Sequence, residues 1–171
     1  MPPRLDAAST LAFQTPLQEH PPAADGKAGA LLTFIGLMFS LLAGQSDHMS
    51  TMLSTPSGER WITLAGLFGF GITALGTVVE SFRTISPRFP PAPPSLAFFG
   101  DIAALSREEY VRKIESLEPE EALEQILRYN HTLAQICVAK FAKLRHAIRF
   151  FRYSVACWMT VMLLISMQVV L

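Results

Sequence analysis

Charge is scarce in this 171-residue chain. Only 16% of its residues are charged while 50% are hydrophobic, a balance skewed from the usual quarter charged toward the membrane class. Lys and Arg number 14 and so do Asp and Glu; with no net positive field, no nucleic-acid partner is expected. Cysteine is scarcer still. Cys137 and Cys157 fall on one expected helix, roughly 30 Å apart at the helical rise, which excludes a disulfide between them. Both read as small buried apolar groups. His20, His48, His131 and His146 are scattered and no cysteine pair has ligand spacing, so no metal site is expected. The patterns of a nucleophile elbow, a zinc protease, a zinc deaminase and a P-loop are missing. Asn130 and His131 are adjacent and point to different helix faces, so they make no acid–base pair. The expectation is a protein that is not an enzyme and needs no cofactor.

What is present are three apolar runs: 28–44, 61–79 and 154–171, each long enough or nearly long enough to cross a bilayer. The segment from Glu80 to Arg152 carries eleven of the fourteen Lys and Arg, whereas the loop 45–60 carries only Arg60. By the positive-inside rule the N-terminus is cytoplasmic, the 45–60 loop outside, and the C-terminus outside. A cleaved signal peptide ending near Ser40–Gly44 is the alternative for the first run; its long polar leader speaks against it. Residues 1–24 hold Pro2, Pro3, Pro16, Pro21 and Pro22 without apolar periodicity and read as a disordered leader. Asp25 would then cap the first membrane helix.

The first two spans carry small residues at helical spacing: Gly29, Thr33, Gly36, Ser40 and Ala43, then Gly66, Gly69, Thr73 and Gly76. Such stripes let backbones approach closely in lipid, which predicts a tight antiparallel hairpin of spans one and two. The competing reading makes one stripe the lining of a conductive path, with Asp47 and Glu80 at its mouths. Ser81–Pro94, with five prolines, reads as a stiff connector rather than a helix. Leu96–Ile102, containing Phe98-Phe99-Gly100-Asp101, reads as a buried turn whose backbone approaches something closely, either a ligand or the long helix itself.

Ser106-x-x-Glu109 is a capping box, with Leu105 and Tyr110 placed as a staple, opening a helix to about Leu117. Pro119 suits the first position of the next helix, with Glu120 and Glu121 favourable in its first turn. From Glu120 onward neither proline nor glycine interrupts, so one helix is predicted to run through to the last span. Its seam is Leu123, Leu127, Asn130, Ala134, Cys137, Phe141, Leu144, Ile148, Phe151 and Val155, the spacing of a helix packing along a partner. Asn130 is the one polar member, a residue type that fixes register or oligomer state. Arg145, Arg149 and Arg152 follow at 4,3 spacing, with Lys140, Lys143 and His146 nearby. They suit either lipid headgroups or a phosphate-bearing ligand. The fold class is therefore an all-α membrane protein: three transmembrane helices and a cytosolic helical region, about 80–152, whose long helix continues into the last span.

The order Asp25-x-Lys27-Ala28 opening a membrane helix, a second span, Pro87-Arg88, Phe98-Phe99-Gly100-Asp101-Ile102, Ser106-x-x-Glu109-Tyr110, and Lys140-x-x-Lys143-Leu144-Arg145 before a last span resembles the transmembrane Pycsar effectors (PycTM) of bacterial antiphage defence, over roughly residues 25–171. The resemblance implies activation by a cyclic pyrimidine mononucleotide, cCMP or cUMP, made by a cognate cyclase. It implies impairment of the bacterial inner membrane and abortive infection, with a homo-oligomer in the lipid bilayer as the working form. Residues carried over on the motifs are Lys27, Arg88, Phe99, Gly100, Asp101, Lys140 and Arg145. The chain has no β-roll with a phosphate cassette, so a nucleotide site here is expected to be helical and shared between subunits. The competing class is a non-enzymatic membrane scaffold that recruits a cytosolic partner through the long helix. A small transporter subunit ranks last, because the spans lack ionisable residues near their centres.

Overall fold

A computed structural model describes residues 7–54, 58–86, 96 and 98–170. Among these residues six helices follow in order: α1 (Ala7–Ala43), α2 (Ser46–Ser54), α3 (Gly58–Ile85), α4 (Phe99–Ala103), α5 (Arg107–Glu115) and α6 (Pro119–Val170). Among the described residues there is no strand. Three helical segments have the length and apolarity to cross a membrane: Glu19–Ala43, Gly58–Ile85 and Pro119–Gln168. The all-α, three-span expectation holds, and so does the unbroken last helix, 52 residues from Pro119.

The chain forms two compact units. One comprises Met1–Ala23 with Pro87–Lys140; the other comprises Ala24–Ser86 with Phe141–Leu171. The second holds the apolar packing. Its main core joins Ile35, Met38 and Leu42 of α1, Met52 of α2, Phe70 and Ala74 of α3, and Val161 and Ile165 of α6. A smaller cluster sets Ala24 and Ala28 against Leu144, with Leu31 and Phe141 beside them.

Helix direction in this unit follows from particular pairs. A Cβ built on Gly66 would meet Val161 at 2.8 Å, on Gly69 the Cys157 sulfur at 3.0 Å, and on Gly76 the Phe150 ring at 2.8 Å. The numbers fall on α6 as they rise on α3, so the two helices run antiparallel, in a contact only glycine permits. α1 runs parallel to α6: Phe34 meets Phe151 at 6.2 Å between centroids, and the Trp158 indole N–H donates to the Met38 carbonyl at 3.2 Å. In lipid there is little hydrophobic force between helices, so close dispersion contact and such cross-helix bonds must hold them. Three hydroxyls inside the apolar stretches are satisfied within their own helix, Thr73 donating to Gly69 at 2.7 Å, Thr77 to Thr73 at 2.9 Å and Ser154 to Phe150 at 3.1 Å, as a medium without water favours; the buried Thr63 hydroxyl has no partner among the described residues.

Four expectations need correction. The close partner of the α3 stripe is α6, whereas Gly29 and Gly36 on α1 have no atom within 4 Å of a built Cβ among the described residues; the tight α1–α3 hairpin is not the packing, although Phe39 meets Phe70 at 4.8 Å between centroids with the rings tilted. Helix α1 begins at Ala7, so Asp25 lies mid-helix and does not cap it. The prolines there remove donors, but Ala24 and Ala28 are fully buried and small enough to seat α1 on Leu144 and Phe141 beyond them. Helix α3 continues to Ile85, taking in Ser81–Ile85, which read as connector; buried Ser81 and Thr84 extend its packed face. The proline-bearing remainder of that connector lies outside the described residues. Finally, the α6 seam shifts. Cys137 and Leu144 are buried as expected, but Leu127 and Ile148 are 47% and 40% exposed, and Ala147 and Ser154 are buried instead.

Helix α2 was not foreseen: it lies in the 45–60 loop and anchors through Met52, 1% exposed. In the other unit the capping box is complete. Ser106 Oγ accepts from the Glu109 N–H at 3.2 Å, and the Glu109 carboxylate accepts from the Ser106 N–H at 3.2 Å. Pro119 opens α6 with Glu120 and Glu121 in its first turn.

Candidate functional site

The residues singled out by motif divide between the units. In the unit containing the apolar packing stand Lys27 and Arg145. The Lys27 ammonium lies 5.9 Å from the Phe141 ring centroid, and that ring packs on the Ala24–Ala28–Leu144 cluster. A cation over an aromatic face is held electrostatically at about 0.5–1 kcal/mol when exposed. Arg145 is exposed, next to buried Leu144 and one helical turn after Phe141, and so shares a face with it. Helix α1 thus sets Lys27 over the Phe141 ring and α6 carries Arg145 one turn beyond that ring, an arrangement that suits an anion with a flat or apolar body.

In the other unit stand Phe99, Gly100, Asp101 and Lys140. The expected turn is a short helix, α4, entered through Phe98 at φ −97° and ψ 124° without a side-chain cap. The Phe98 carbonyl accepts from the N–H groups of Asp101 at 3.1 Å and Ile102 at 3.0 Å. The close approach anticipated at the glycine is present, and its partner is local: a Cβ on Gly100 would lie 2.8 Å from the Phe98 ring. Gly100 is exposed and Asp101 half-buried, so the segment is not the buried turn anticipated. Lys140 is half-buried on α6. It stands five residues before Arg145, which turns the two side chains roughly 140° apart around the helix. Arg88 lies outside the described residues.

Sequence reasoning missed the role of Phe141 as the seat of Lys27; its place in the apolar seam read only as packing. No group of three or more His, Cys, Asp or Glu that could hold a metal occurs among the described residues. The charged pairs Arg83–Glu80 (2.7 Å) and Arg128–Glu124 (2.6 Å) are helix-surface pairs at i,i+3 and i,i+4, each worth less than about 1 kcal/mol.

Comparison with known proteins places this architecture. No curated protein and no solved structure matches significantly. The family model of the Pycsar effector protein domain, PycTM, matches residues 17–167, which spans all three apolar helices, α4, α5 and nearly all of α6. That family carries an effector role in antiphage defence, tied to cyclic-nucleotide signalling and to the membrane. By the extent of the match and the helices it covers, the chain belongs to the Pycsar effector protein domain family and is an antiphage-defence effector of multi-pass membrane form.

Proposed function

We propose that this effector is switched on by a cyclic pyrimidine mononucleotide, cCMP or cUMP, and then impairs the bacterial inner membrane without catalysing a reaction, so that infection aborts. The observation that carries the reading is α6, one helix from Pro119 to Val170 that includes both motif residues and membrane-spanning sequence. A ligand that prefers one arrangement of its motif-bearing part biases the part in the bilayer; it can do so only to the extent of its differential affinity for the two arrangements. The proposed contacts are Lys27, Arg88, Phe99, Gly100, Asp101, Lys140 and Arg145, with the cations meeting the cyclic phosphate and an aromatic face meeting the base. The proposed orientation has the N-terminus and the 80–152 region in the cytoplasm, on the positive-inside rule. Leu127 and Val138, 47% and 68% exposed on α6, support self-association into an oligomer.

Liposomes containing the purified protein, tested for dye release with cCMP, cUMP, cAMP and cGMP separately, decide the matter. Release with a single pyrimidine nucleotide is expected. Arg145→Glu should abolish that release while leaving insertion intact; undiminished release in this variant would overturn the site. Silence with all four nucleotides favours the second reading, a scaffold whose cytosolic partner docks on the exposed Leu127 and Val138.

A further inference from the structure

The contacts of α6 measure how far along its neighbours it sits. Gly66, Gly69 and Gly76 face Val161, Cys157 and Phe150, and the Gln168 amide donates to the Glu59 carboxylate at 3.3 Å. Stepping along this antiparallel pairing, Val79 is level with Ala147, Thr77 with Arg149 and Ala74 with Arg152. Helix α1 agrees, because the Phe34–Phe151 contact sets Arg152 level with Ile35, well beyond Lys27. The uncharged stretch of α3 is Trp61–Val79. Arg149 and Arg152 thus lie about 3 Å and about 8 Å inside its inner end, at the rise of an α-helix.

Along its own sequence α6 is uncharged from Tyr153 to Leu171, 19 residues, the same number as Trp61–Val79 of α3 and about 28 Å of helix. Register, rather than a short span, therefore sets two guanidinium groups inside the inner end of the α3 stretch. Both are exposed, and neither has an ion pair or side-chain hydrogen bond among the described residues. They share a face at i,i+3, flanked by Phe150 and Tyr153, 36% and 57% exposed, residues of the kind that mark a membrane–water boundary.

We infer that Arg149 and Arg152 bind the phosphates of anionic lipids in the inner leaflet and draw those headgroups below their ordinary level, thinning the bilayer beside α6. A guanidinium left bare at that depth is unfavourable. Snorkelling, local thinning and entry of phosphate relieve it, and the planar fork matches two phosphate oxygens at once. The chemistry recognised is a phosphate, from lipid or from solution. Depth selects lipid, since a soluble anion must leave water to reach Arg152 whereas a lipid phosphate is already held at the boundary by its own chains. The inference rests on the membrane seat of the chain and not on nucleotide activation.

The test uses the full chain in nanodiscs of phosphatidylcholine with phosphatidylglycerol, reading retained lipids by native mass spectrometry. The unsubstituted protein should retain phosphatidylglycerol selectively. Arg149→Leu with Arg152→Leu should reduce that enrichment roughly thirtyfold. These changes lengthen the uncharged stretch to 23 residues, Arg149 to Leu171, so the variant should still insert. Unchanged enrichment in the double variant overturns the proposal, and so does displacement of the lipid by inorganic phosphate, which would mean a site open to water. Should the variant fail to insert, carbon–phosphorus dipolar dephasing at the resolved Cζ signals of Arg149 and Arg152 in the unsubstituted chain decides. Dephasing supports lipid contact, and its absence at both positions refutes it.

Discussion

Two stripes of small residues in this protein look alike in sequence and fare differently in the fold. On α3, Gly66, Gly69 and Gly76 press against Val161, Cys157 and Phe150 of α6; on α1, Gly29 and Gly36 face open space within the chain. Both stripes carry hydroxyls turned back onto their own helix, Thr33 to Gly29 at 3.2 Å and Ser40 to Gly36 at 3.1 Å on α1, Thr73 to Gly69 at 2.7 Å on α3. Smallness therefore permits a close approach without choosing who approaches. The choice lies with the opposing surface. Helix α6 offers an aromatic ring, a sulfur and a β-branched side chain at the spacing of the α3 glycines, while it meets α1 through Leu144, Phe151 and Trp158, which seat on alanines, an aromatic ring and a carbonyl rather than on glycines.

The comparison can be broken by filling each stripe in turn. Gly66→Leu and Gly76→Leu should each cost about 1–3 kcal/mol, since a Cβ alone meets α6 atoms at 2.8 Å and the packed neighbours have little room to yield. Loss of resistance to unfolding in a denaturing-detergent titration is the readout; an unchanged midpoint would mean that α3 and α6 do not pack through these glycines. A smaller effect, about 1 kcal/mol, is expected from Trp158→Phe, which keeps most of the ring and removes the bond to the Met38 carbonyl. The same titration checks it. Smallest is Gly36→Leu, expected within about 0.5 kcal/mol, because it adds atoms to empty space. If it instead shifts the oligomeric mass in detergent, the α1 stripe is covered by a second copy of the chain, and the two stripes are alike after all.

How far the sequence revealed these outcomes depended on the range of the forces involved. The capping box at Ser106, the start of α6 at Pro119 and its uninterrupted course are local facts, governed by side chains within a turn or two of each other, and all were readable. So were the three apolar runs. Helix α2 was not, because Ser46–Ser54 is mostly polar and is held by tertiary packing of Met52, with Met49 beside it, on the core. Nor was the move of the α6 seam from Ile148 to Ala147 and Ser154. Burial there depends on which neighbouring helices α6 meets, which no periodicity within α6 records. At the candidate site the same limit applied. Lys27 was picked out by a motif, yet its seat on the Phe141 ring depends on α1 and α6 lying side by side. The depth of Arg149 and Arg152 likewise follows only from interhelical register.

The bond between Trp158 and the Met38 carbonyl also gives the molecule a built-in optical contrast. The chain has two tryptophans, and their surroundings differ sharply. Trp61 is 70% exposed at the start of the α3 apolar stretch with the Arg60 guanidinium 5.8 Å from its ring; Trp158 is half-buried and hydrogen-bonded between α1 and α6. A brominated acyl chain should quench the emission of Trp61 and leave that of Trp158 largely bright. When the helices part, Trp158 should lose its bond and become quenchable while Trp61 stays as it was, so the protein's own light reports the opening of its membrane core without any attached label.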